Sequence, residues 1–112
     1  MFKKKEEIAI RRYLRTREES MLTHPFGKAI DVFSISGVDF AYLERDKQPL
    51  RLSLRSDIEL SKLLREKYEE VAPAHKLDQR KWNTIILSGQ LGYDEIIVLI
   101  DHSYLLAKEL KT

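Results

Sequence analysis

Ten residues, LRLSLRSDIE (50–59), limit the fold more than any other stretch. Leu50, Leu52 and Leu54 alternate with Arg51, Ser53 and Arg55, and a strand sends successive side chains to opposite faces. One face of this strand is therefore buried, and the other carries cations into water. Directly behind it, Ser56-Asp57-Ile58-Glu59 reads as a capping box, with a hydroxyl at the N-cap and a carboxylate three positions on. An apolar stripe follows at helical spacing: Leu60, Leu63, Leu64 and Tyr68. This helix is expected to run to about Glu70 and to stop before Pro73, because the residue preceding a proline disfavours helix. A half-buried strand feeding straight into an amphipathic helix requires layers that share one core.

The remaining segments extend the pattern. Residues 3–20 read as a helix, with Ala9, Ile10, Tyr13 and Leu14 on one side and Arg11, Arg12 and Arg15 on the other. Glu7 and Arg11 form a favourable i,i+4 pair. THPFG (23–27) breaks that helix. AIDVFSIS (29–36) and VDFAYLE (38–44) read as strands around a hairpin at Gly37, with Phe40 and Tyr42 assigned to one face. Asp46 to Pro49 form a second turn. Residues 74–81 read as a connection, Trp82 to Leu87 as a strand anchored in the core by Trp82, and SGQLGYD as a turn. Asp94 and Glu95 open a last helix at the end its dipole favours, and Lys108 and Lys111 close it. Its core stripe is Ile96, Leu99, Ile100, Ser103 and Ala107. The expected structure is a single α+β domain over 1–112: a two-layer sandwich of an antiparallel sheet with helices on one face.

Composition narrows the function classes. The chain has 112 residues and no cysteine, which removes disulfides, thiolate metal sites and cysteine nucleophiles. MFKKKEEIAIRRY starts like a basic signal region, but Arg11 and Arg12 end the apolar run at once. No stretch approaches the ~20 apolar residues of a membrane span. A cytoplasmic protein without a membrane partner is expected. The three histidines, His24, His75 and His102, lack metal-ligand spacing, so no metal or other cofactor is expected. Ser103 lies on the buried stripe, where a hydroxyl bonding the i−4 carbonyl is the simplest role. SGQLG lacks the lysine of a phosphate loop. The EE pairs 6–7, 18–19 and 69–70 point in different directions on their helices and share no site. Nothing in the residues points to an enzyme.

Cations are what remains. Net charge is only +2, so any basic signal has to come from clustering. Residues 47–82 hold nine Lys/Arg against six Asp/Glu. Within them Arg51 and Arg55 project from one strand face, Lys47 precedes that strand, and Lys76, Arg80 and Lys81 lead into Trp82. If these meet, they form a basic patch able to neutralise phosphates of DNA. The alternative is that they are ordinary solvated charges.

HPFG (24–27), VDFAYLE (38–44), RLSLRSDIELSKLLREKY (51–68), VAPAHKLDQRKWNTIILSG (71–89) and DHSY (101–104) occur in an order that resembles the MmcQ/YjbR family, small bacterial proteins described as DNA-binding. The resemblance covers nearly the whole chain. It implies the order α-β-β-β-α-β-β-α, a fold also seen in frataxin-like and secretion-chaperone-like proteins, and adds a short strand near Ala72 to Leu77. It further implies a DNA-binding or regulatory protein, with a protein-interaction or chaperone-like module using the open sheet face as the alternative. A frataxin-like iron role fits poorly, because the first helix carries Lys3, Lys4, Lys5, Arg11, Arg12, Arg15 and Arg17, and hard cations require clustered carboxylates.

Overall fold

The computed structural model describes residues 2–110. The elements in chain order are α1 (Lys4–Arg15), β1 (Ser20–Thr23), β2 (Ile30–Ile35), β3 (Val38–Glu44), β4 (Arg51–Arg55), α2 (Ile58–Lys67), β5 (Val71–Pro73), β6 (Trp82–Ile86) and α3 (Tyr93–Leu110). The six strands form one sheet in the order β1-β2-β3-β4-β6-β5, and every pairing is antiparallel. The expected two-layer α+β architecture holds. Lys111, assigned to the end of the last helix, lies outside the described residues.

One core joins the layers. Ile10 and Leu14 from α1, Leu64 from α2, and Ile96, Ile100, Tyr104 and Ala107 from α3 pack on Phe33, Leu43, Leu52, Leu54 and Ile85 of the sheet. All three helices therefore lie on the face that receives the leucines of β4. Ser36 and Gly37 both adopt positive φ, 49° and 82°, between the paired residues Ile35 and Val38. This two-residue turn matches the twist of the strands it joins.

Four local expectations are corrected. The first helix ends at Arg15, where the Thr16 hydroxyl donates to the Arg12 carbonyl at 2.8 Å. Residues 20–23 are then strand β1, because Leu22 opposite Phe33 can join the core. The N-cap of α2 is Asp57, not Ser56: Asp57 Oδ1 accepts the Leu60 amide at 2.8 Å, and Ser56 is buried instead against Ser61. Leu63, assigned to the α2 stripe, is 57% exposed, and Ser61 takes the buried position.

The fourth correction comes from a β-bulge. Phe33 pairs with Ala41 and Ser34 with Asp39, so Phe40 is an extra residue in β3. The extra residue turns Phe40 into the core, edge-on to Tyr104 at 5.4 Å, while Tyr42 remains on the opposite face. Phe40 and Tyr42 do not share a face.

Candidate functional site

The sheet face without helices begins from a simple register. Thr23, Val32, Tyr42, Ser53, Thr84 and Ala72 are consecutive cross-strand partners through all six strands. Partners directly opposite share a face, so this row crosses the open side of the sheet. The Ser53 and Thr84 hydroxyls bond to each other at 2.7 Å. Arg51 and Arg55 flank Ser53 on β4, on this same face.

Trp82 belongs to the open face as well. It pairs with Arg55, and its ring meets Tyr42 edge-on at 5.4 Å. Asn83 and Ile85 take the helix side: Asn83 Nδ2 donates to the Ser61 carbonyl at 3.2 Å, and Ile85 is in the main core. Trp82 is buried as expected, 5% exposed, but packs outside the main core cluster.

Arg55 lies over Trp82, with its guanidinium carbon 4.6 Å from the ring centre. Arg55 Nε donates to the Asp39 carbonyl at 2.6 Å. Tyr42 donates its hydroxyl to Asp39 Oδ2 at 2.6 Å. Burial, together with the Asp39 bond and charge, pushes the Tyr42 phenol well above its ordinary value, so it stays a donor. Burial also lowers the Arg55 pKa, against the opposing charge of Asp39.

The connection between β5 and β6 (74–81) covers the end of the sheet next to Trp82. Its backbone is tied at several points. Ala74 donates to the Trp82 carbonyl at 3.2 Å, Lys81 and Trp82 donate to the Asp78 carbonyl at 3.0 and 2.9 Å, and Ser56 donates to the Lys81 carbonyl at 2.8 Å. Arg65 of α2 bonds the Gln79 carbonyl. His75, Lys76, Arg80 and Lys81 are exposed on this held loop. Arg80 bends back to Asp78, Nη2 to Oδ2 at 3.2 Å, and that contact holds the Asp78 carboxyl below its ordinary value.

The six cations singled out by sequence therefore divide. Arg55, Lys76, Arg80 and Lys81 gather at the Trp82 end of the sheet. Lys47 and Arg51 lie at the other end of β4, about 13 Å away at the rise of an extended strand, and Arg51 sits opposite Glu44.

Three polar constructions were not anticipated. Asp31 is fully buried on the helix side of β2, and Arg11 Nε, His24 Nε2 and Arg45 Nε approach its carboxylate at 2.7, 2.8 and 3.0 Å. Burial pushes this carboxyl up, but the Arg11 and His24 hydrogen bonds and the two arginine charges outweigh it and hold the pKa below its ordinary value. The only sequence signal was a lone carboxylate inside a β-branched run. Glu70, read with Glu69 as a pair sharing no site, is buried and accepts the Leu91 amide at 2.5 Å and the Ser88 hydroxyl, which organises the SGQLG turn.

DHSY is the third. Asp101 accepts the Tyr13 hydroxyl at 2.6 Å, and the Tyr104 hydroxyl donates to the Glu18 carbonyl at 2.7 Å. Ser103 donates to the Phe40 carbonyl at 2.6 Å and accepts the Arg55 amide at 2.8 Å, in place of the i−4 bond expected. His102 is partly exposed, with its Nε2 buried 3.5 Å from Asp57 Oδ2. Among the described residues no group of three His, Cys, Asp or Glu is placed to hold a metal, and no helix is long and apolar enough to cross a membrane.

Known proteins resemble this chain in sequence and fold. The family model YjbR matches residues 16–106. The uncharacterized protein YjbR of Escherichia coli K12 is 33% identical over 70 residues, which is 62% of this chain and 59% of the relative's length; the O157:H7 protein matches equally. A crystal structure of a Deinococcus radiodurans protein superposes with a TM-score of 0.85 at 28% identity, covering 92% of this chain and 78% of that one. A Pseudomonas syringae protein superposes with a TM-score of 0.75 at 27% identity, covering 95% and 99%.

Proposed function

We propose that this chain, which belongs to the YjbR family, is a non-enzymatic binding protein that contacts the phosphate backbone of DNA through its β5–β6 loop. The observation that carries this proposal is the held loop itself. Lys76, Arg80 and Lys81 stand exposed on a backbone fixed to α2, β4 and β6. A preordered loop loses little conformational entropy when it meets a ligand. Cations on it gain from counterion release in proportion to the phosphates they neutralise. Base stacking plays no part, because the Trp82 ring is buried under Arg55 and against Tyr42. Lys47 and Arg51 are too far from the loop to belong to the same contact.

The alternative, a protein-interaction or chaperone-like contact through the open sheet face, has less support. The central apolar groups there, Val32 and Trp82, are already buried, the exposed Met21 stands on the edge strand β1, and a docking face needs contiguous exposed apolar area.

Fluorescence anisotropy of a labelled duplex tests the proposal. Binding is expected at ~50 mM salt, and log K should fall against log salt with a slope of about −3 for three phosphate contacts. The charge reversals Lys76→Glu and Lys81→Glu together should abolish it. Absence of binding at micromolar protein, or binding indifferent to these reversals, would refute the assignment.

A further inference from the structure

Arg55 differs from the loop cations in how it is held. Its Nε is spent on the Asp39 carbonyl at 2.6 Å, and its plane lies over Trp82 with the carbon 4.6 Å from the ring centre. Trp82 is itself fixed, 5% exposed and packed edge-on by Tyr42 at 5.4 Å. The two terminal nitrogens make no hydrogen bond among the described residues, and they are not among the buried polar atoms that lack a partner, so they reach solvent. A guanidinium with a stacked face, an anchored Nε and a free terminal pair is a fork set in advance. That geometry suits two parallel bonds to an oxyanion.

The charged group facing this fork is Asp39 on β3. The Asp39 carboxylate opposes an anion, although its Oδ2 is occupied by the Tyr42 hydroxyl. Lys81 is held beside the end of β4 by the bond from the Ser56 amide to its carbonyl. A carboxylate and a phosphate both fit the fork, but a phosphate carries the greater charge and more acceptor oxygens, and gains more from the charge-assisted pair.

We propose that Arg55, stacked on Trp82 and anchored to the Asp39 carbonyl, is a bidentate receptor for one phosphate group. As the fixed point of a DNA contact it rests on the loop assignment above; as a phosphate receptor it stands alone.

Trp82 is the chain's only tryptophan and lies directly under the site, so its emission reports occupancy. Inorganic phosphate and a labelled duplex are titrated separately into the protein and into Arg55→Lys and Asp39→Asn, following Trp82 emission and, for the duplex, anisotropy. Both ligands are expected to shift the emission. Arg55→Lys keeps the charge but loses the fork, so it should lose the phosphate response and weaken duplex binding roughly tenfold. Asp39→Asn keeps the backbone carbonyl and removes the opposing charge, so phosphate should bind more tightly.

Failures of the two proposals separate. Duplex binding with unchanged Trp82 emission and no loss in Arg55→Lys overturns the receptor and leaves the loop contact standing. An Arg55-dependent response to phosphate without duplex binding supports the receptor, with free phosphate as its ligand, and overturns the DNA assignment. Should Arg55→Lys fail to fold, as seen by circular dichroism, Asp39→Asn decides: unchanged phosphate affinity overturns the receptor.

Discussion

Asp31 sits in a run of β-branched and aromatic residues, yet its carboxylate is fully buried among Arg11, His24 and Arg45. These partners come from α1, the β1–β2 connection and the turn after β3, so one side chain ties three parts of the chain to β2. A buried charge is tolerated only when it is paired and hydrogen-bonded. Asp31→Asn should lower stability by about 1–3 kcal/mol at neutral pH, read as a shift of the urea midpoint. The pH dependence follows from the sign of the shift. The carboxyl pKa is lower in the folded protein than in the unfolded chain, so its contribution is present above the unfolded value of roughly 3.9 and disappears as pH falls through the folded value. The mutant should therefore lose part of its acid limb, converging with the parent as pH falls below the folded value; a constant gap at every pH would show that the carboxylate charge is not the cause.

At the scale of elements, the α2 start separates two assignments that differ by one residue. Asp57 caps the helix through the Leu60 amide, and Ser56 is buried beside Ser61. Asp57→Ala should cost about 1 kcal/mol, the usual loss of an N-cap, measurable by thermal or urea unfolding. No loss would return the cap to Ser56. Strands β2, β3 and β4 and the stripes of α2 and α3 were largely legible because alternation and helical spacing record which face is buried. Strand β1 was not, since four residues shortly after a helix carry too little alternation to announce an edge strand. The bulge at Phe40 was invisible for a similar reason: pairing register depends on the partner strand, not on the local sequence. Trp82 is buried as WNTIIL suggests, but on the open side of the sheet. Its odd spacing from Ile85, three residues, already separates the two faces of a strand.

The whole molecule is a sheet with two unlike sides. Helices and the main core occupy one, and a row from Thr23 through Tyr42 to Ala72 crosses the other beside Arg55 and Trp82. Of the candidate site, the residue types were legible but their grouping was not, because strand length separates Lys47 and Arg51 from the cations near Trp82. The central claim is that phosphate contact is confined to that one end. It is tested most directly by recording ¹H–¹⁵N correlation spectra during titration with a short duplex at low salt. The predicted result is a salt-dependent set of shifts at Lys76, Arg80, Lys81, Arg55 and the Trp82 indole N–H, with α1 undisturbed. Shifts concentrated on Arg11, Arg12 and Arg15 of α1, or no shifts at all, would contradict it.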